Sequence, residues 1–139
     1  MTASEIILKF RQQGIRITEF RKYLIQQFVQ SHQPISAQEI LALSIETFPT
    51  INKTTVYREL DFLLLHRIIH QVELGDRKKR FELSSHQHHH HLICLKCRKI
   101  EDIHLDNDLS KQEKLIEQTT NFKITDHSLE FFGYCSNCH

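Results

Sequence analysis

Cys94-Leu95-Lys96-Cys97 and Cys135-Ser136-Asn137-Cys138 hold every cysteine of this chain. No other feature constrains the fold as tightly. If one tetrahedral metal takes all four thiolates, two segments far apart in sequence must meet end to end in space. In a reducing compartment, where disulfides do not persist, such pairs favour metal, with redox-switched CxxC disulfides as the competing reading. His86, His88, His89, His90 and His91 crowd the stretch just before the first pair. Imidazoles at this density point to a second, exchangeable metal site, against the plainer reading of a solvated His-rich turn. Interruption by Gln87 and the position beside CxxC argue against a purification tag.

The rest of the composition sets limits. A chain of 139 residues makes one ordinary domain or two small ones. No apolar run approaches the roughly 20 residues that span a bilayer, and Met1-Thr2-Ala3-Ser4-Glu5 has no signal-peptide pattern. The expectation is a cytoplasmic protein without a membrane partner. A formal net charge of +1 does not mark a nucleic-acid binder, so any such role needs local clustering, and Arg77-Lys78-Lys79-Arg80 is the compact basic cluster.

Composition shifts near Ser84-Ser85, which predicts two domains, 1–84 and 85–139. In the first, Thr18 can cap a helix carrying Phe20, Leu24 and Phe28, and Ser36 with Glu39 forms a capping box for the next. Asn52 can cap a third helix with Val56, Leu60, Leu63 and Leu64 as its buried stripe. Ile68 to Leu74 then alternates, Gly75-Asp76 turns, and Arg80-Phe81-Glu82-Leu83 returns, a hairpin with the basic cluster at its tip. Helices followed by a basic hairpin predict a winged helix-turn-helix whose third helix enters the major groove of double-stranded DNA. The residues expected at DNA are Arg16, Thr18 and Arg21, then Lys53, Thr54, Tyr57 and Arg58 on the third helix, and Arg77 and Lys79 on the wing. The wing cations can neutralise phosphates without reading sequence.

Thr55-Val56-Tyr57-Arg58-Glu59-Leu60, His88 through Cys97, and His127-Ser128-Leu129-Glu130-Phe131-Phe132-Gly133-Tyr134-Cys135 together resemble, in the right order over essentially the whole length, the ferric uptake regulator superfamily of metal-responsive transcriptional regulators. The resemblance implies an α+β chain, a winged helix-turn-helix followed by a small sheet-plus-helix dimerisation domain, acting as a homodimer. It implies a structural zinc on Cys94, Cys97, Cys135 and Cys138. Four thiolates fill a tetrahedral zinc and leave no open position for catalysis, so no enzyme is expected.

In an extended segment His88 and His90 face one way, His89 and His91 the other, so two sites can be served. The resemblance implies a sensing site of Glu82, His89, His91 and Asp102 between the two domains. It implies an additional site of His88, His90 and His127 with a carboxylate at Asp108, Asp106 or Glu113. Iron- and peroxide-responsive members usually place a histidine where this chain has Pro34, with His32 nearby. Zinc-responsive members often draw a ligand from the first wing strand, where His70 lies, and many use a cysteine at the position of Ser84. His70 shares a strand face with Ile68, Val72 and Leu74, so a core histidine is the other reading of it.

The expected function is a metal-dependent repressor of metal-homeostasis genes on a palindromic operator. Zinc is favoured as corepressor, and an iron(II)- or peroxide-responsive regulator is the alternative. A zinc-buffering protein or zinc-dependent enzyme stands outside the family. No HExxH is present, and the deaminase pattern of glutamate and Pro-Cys-x-x-Cys is not matched.

Overall fold

The structure, a computed structural model, describes residues 1–84, 88–106 and 109–139. It divides into two compact units, Met1–His86 and Gln87–His139.

The first unit begins with α1 (Ala3–Gln12), α2 (Glu19–Gln30), the short β1 (Ile35–Ser36), α3 (Ala37–Ser44) and α4 (Lys53–Leu65). Each helix starts on a side chain that takes up an otherwise orphaned N–H. Thr2 and Glu5 form a capping box on α1, the Thr18 hydroxyl accepts from the Arg21 N–H at 3.1 Å, Ser36 and Glu39 form a second box, and Asn52 accepts from the Thr55 N–H at 2.9 Å. The Ser36 backbone N–H holds the Glu39 carboxyl below its ordinary pKa. Ile6 and Phe10 of α1, Leu24, Ile25 and Phe28 of α2, Ile40 of α3, and Val56, Leu60 and Leu63 of α4 meet in one core. Each such side chain contributes roughly 1.5–3 kcal/mol on leaving water.

Two strands, β2 (Ile69–Glu73) and β3 (Lys79–Leu83), close the unit as an antiparallel hairpin, and β1 adds to β3. Their register sends Ile69, Phe81 and Leu83 into the core and sets His70 opposite Glu82. At the tip, Gly75 and Arg77 take positive φ. Asp76 accepts from the Lys78 N–H at 3.2 Å and grips Arg80 through two bonds of 2.7 Å. That guanidinium holds the Asp76 carboxyl well below the usual carboxylate range.

Three details depart from the sequence reading. Helix α1, with its Thr2–Glu5 capping box, lies outside the expected elements. Leu64 is half-buried, while the buried stripe of α4 includes Glu59. His70 has a side chain 42% exposed and ion-pairs with Glu82 at 2.8 Å, so it is not a core histidine.

The second unit holds β4 (His90–Cys94), β5 (Ile100–Ile103), α5 (Ser110–Thr120) and β6 (Glu130–Gly133). β4 is central, antiparallel to β5 and parallel to β6. Little apolar surface is buried here. Ile93 and Cys94 are covered, but α5 buries no residue, and Leu115, Ile116, Phe122, Phe131, Phe132 and Tyr134 are exposed. Among the described residues no helix is long and apolar enough to cross a membrane.

Candidate metal centres and nucleic-acid interface

Strand direction explains how the two CxxC pairs meet. Because β6 runs parallel to β4 with Cys94 opposite Gly133, both strands end at the same edge of the sheet, and each continues into its CxxC turn. In the first turn the Arg98 N–H bonds the Cys94 carbonyl at 2.9 Å, with Arg98 at φ 63°. In the second the Cys138 N–H bonds the Cys135 carbonyl at 2.8 Å. The four sulfurs lie within 4.8 Å of one another, and Cys97 Sγ stands 3.7 Å from Cys135 Sγ. Tetrahedral zinc with Zn–S near 2.3 Å requires sulfurs about 3.8 Å apart, whereas a disulfide needs about 2.05 Å, so the arrangement fits the ion.

The thiols are unequal. The N–H groups of Cys97 and Cys135, the latter 3.4 Å away, turn toward Cys94 Sγ and bring its pKa down to about 5. Cys138 is pushed up to about 12, first by the hydrogen bond it shares with Cys135 and then by burial. Full ionisation of the cluster calls for a cation to offset the crowded charge.

Alternation along the His run separates its side chains as the period of a strand requires. His88, His90 and His127 offer ligand atoms within 4.8 Å of one another, with ring centroids 4.6 Å apart for His88–His127 and 4.8 Å for His88–His90. His127 Nδ1 meets Glu113 Oε1 at 2.6 Å. Among the described residues, Glu113 is therefore a carboxylate brought to this cluster. Asp106 is an exposed turn residue, and Asp108 lies outside the described residues. The other face carries His89 and His91, with ring centroids 4.9 Å apart. Asp102 is the cross-strand partner of His91, with Oδ1 3.8 Å from its Nε2. In the first unit His70 and Glu82 form their own pair. His32 and Ser84 are exposed, and Pro34 is buried.

Imidazoles and carboxylates suit a borderline divalent ion. Two further histidines of the second unit, His104 and His139, fall outside the sequence reading. His104 Nδ1 lies 3.2 Å from the His88 carbonyl with its ring 6.1 Å from that of His89, and His139 Nδ1 lies 2.8 Å from the Cys135 carbonyl. Each sits beside a motif residue through backbone, which no local spacing announces.

In α4, Lys53, Thr54, Tyr57 and Arg58 are all exposed, and the Lys53 ammonium stands 5.7 Å from the centre of the Tyr57 ring. Arg16 is exposed ahead of α2, and Arg77 and Lys79 are exposed on the wing. Arg80, by contrast, is spent on Asp76. Thr18 serves as the α2 cap.

Arg21, expected at DNA, also makes contacts inside the first unit. Its guanidinium is engaged inside the unit by both Glu59 carboxylate oxygens, at 2.8 and 3.1 Å, and by the Arg16 carbonyl at 2.7 Å. It also lies 3.7 Å over the Phe62 ring. Sequence reasoning passes over Glu59. The signal is present all the same, since a carboxylate interrupting an apolar stripe demands a buried cation.

Residues 12–132 match the model of the Ferric uptake regulator family. The peroxide-responsive repressor PerR of Staphylococcus epidermidis is 34% identical over 96% of this chain and 88% of its own length. Among solved structures, PerR from Streptococcus pyogenes is 30% identical, covering 100% of this chain and 95% of its own, with a TM-score of 0.57. The Helicobacter pylori ferric uptake regulator Fur shares the fold at a TM-score of 0.80 and 23% identity, over 99% of this chain and 94% of that one. With its four-cysteine cluster, its helical unit ending in a wing and its sheet unit rich in imidazole, the chain belongs to the ferric uptake regulator family of metal-binding transcriptional repressors.

Proposed function

We propose that this chain is a cytoplasmic, homodimeric repressor that binds a palindromic operator when metal is bound, and that its regulatory ion is iron(II), read out by peroxide. The expectation that favoured zinc as corepressor gives way here. The observation that carries the reading is the composition of the sensing set, imidazole and carboxylate alone, because all four thiols lie together in the tetrathiolate cluster. Relatives at 34% identity named as peroxide-responsive repressors support the same branch. Zinc has no redox chemistry to offer peroxide, whereas iron(II) bound by imidazole and carboxylate supplies it.

The residues that would hold the regulatory ion are His89, His91 and Asp102 of the second unit and Glu82 of the first. His70, which meets Glu82 at 2.8 Å, is the added ligand in this reading, rather than His32. An ion held by both units favours one arrangement of the two winged helices, and so couples metal to DNA affinity. His88, His90 and His127 form the additional site, oriented by Glu113. The tetrathiolate zinc holds the second unit together, a task its sparse apolar core makes necessary.

Anaerobic fluorescence anisotropy with a duplex from upstream of the protein's own coding sequence tests this. Iron(II) and manganese(II) should each promote binding, and hydrogen peroxide should release DNA from the iron form alone. Retention of DNA by the iron form after peroxide overturns the peroxide reading. Promotion by zinc only returns the corepressor assignment to zinc, the reading that the His70–Glu82 pair also allows.

A further inference from the structure

We propose that the Arg21–Glu59 pair is a clamp that fixes the setting of α4 on the first unit and thereby determines operator discrimination without touching DNA. This rests on the DNA-binding reading above and adds to it a pair of positioning residues.

The geometry is unusually complete for one ion pair. Glu59 is 8% exposed and sits on α4 immediately after Tyr57 and Arg58, whose side chains project outward. Its carboxylate receives Arg21 Nε at 2.8 Å and Nη2 at 3.1 Å, the paired arrangement that fixes direction as well as distance. The remaining terminal nitrogen, Nη1, donates to the Arg16 carbonyl at 2.7 Å, and the planar cation lies 3.7 Å over Phe62, one turn further along α4. One guanidinium thus ties together the loop before α2, the first turn of α2 and two successive turns of α4.

A buried carboxylate is costly unless paired, and an apolar residue would fill the same place in the stripe without that cost. What the pair adds over an apolar contact is a defined orientation. An exposed arginine reading a base edge depends on the placement of its helix within a fraction of an ångström, since bidentate contacts to guanine tolerate little displacement. Three of the five guanidinium N–H groups and one face of the cation are engaged inside the unit, so in this proposal Arg21 acts through α4 rather than through phosphate.

The experiment uses the full-length zinc-containing protein with manganese(II), a labelled duplex from upstream of its own coding sequence, and a scrambled duplex, each titrated across a salt series. Two mild variants avoid emptying the buried site. Glu59→Gln keeps the shape and removes the charge, and Arg21→Lys keeps the charge but cannot donate two parallel bonds. Thermal unfolding of both checks that the fold is retained.

Each variant is expected to bind the upstream duplex about tenfold more weakly, the scale of coupling between contacting residues. Binding to the scrambled duplex and the slope of affinity against salt should stay as in wild type. If Arg21 instead contacts phosphate, Arg21→Lys leaves discrimination intact, and Glu59→Gln strengthens binding to both duplexes and steepens the salt dependence by about one counterion. Either result overturns the clamp. A wild type that does not distinguish the two duplexes overturns the DNA-binding reading and the clamp with it, whereas a discriminating wild type with equally discriminating variants overturns the clamp alone.

Discussion

Glu59 illustrates what single residues decide in this molecule. It occupies a buried position on α4 and is tolerated because Arg21 meets it through two bonds, with both side chains largely covered. Removing one partner leaves a charge in a poor solvent. Glu59→Ala should therefore destabilise the first unit by roughly 3–5 kcal/mol, measured by urea unfolding followed by circular dichroism. The Asp76–Arg80 pair at the wing tip is of another kind, nearer solvent and therefore smaller.

Because the Asp76 carboxyl is held below its ordinary value of 3.8, its stabilising effect is present above that value and lost as pH falls below it. Asp76→Asn should cost about 0.2–1 kcal/mol at neutral pH, with the difference flat down to pH near 5 and vanishing in strong acid. A difference that grew toward acid would contradict the pairing. The meeting of the four cysteines and the alternation of the histidines were legible from their spacing. The Arg21–Glu59 pairing was not legible, because the two residues lie on different helices far apart in sequence.

At the scale of elements, caps and periodicity made most of the first unit readable. Thr18, Ser36 and Asn52 stand where the sequence places them, and the wing register follows from alternation and the Gly75-Asp76 turn. Helix α1 carries the same signals, Thr2 with Glu5 and then Ile6 and Phe10, but its core contact is nonlocal. The parallel pairing of β4 with β6 was not legible, since strand direction is decided by partners distant in sequence. It is nonetheless what brings the two CxxC turns to one edge.

Asn52 holds the first turn of α4, so Asn52→Ala should cost about 1 kcal/mol in urea unfolding. Operator affinity should fall with it while the zinc content stays unchanged. No loss in unfolding free energy would mean that the cap is not supporting the helix.

At the scale of the whole molecule, the two units differ in what holds them together. The first has a continuous apolar core, whereas the second exposes Leu115, Phe122, Phe132 and Tyr134 and joins its strands through four thiols. Cys135→Ser should lose the tightly held zinc and much of a contribution that in small zinc modules is on the order of 10 kcal/mol. Metal analysis after mild chelation, together with thiol alkylation, measures this directly. Wild-type protein with less than one retained zinc per chain, and with all four thiols open to alkylation, would contradict it.

In the proposed reading the imidazoles carry the response rather than the fold. The most direct test is a metal titration of operator binding by wild type and by the double variant His89→Ala/His91→Ala, with zinc content measured in both. The expected result is a metal-dependent rise in affinity for wild type and none for the variant, with the tetrathiolate zinc and the folded state retained in each. An intact response in the variant, or wild-type operator binding indifferent to metal, would contradict the assignment of these residues as the sensor.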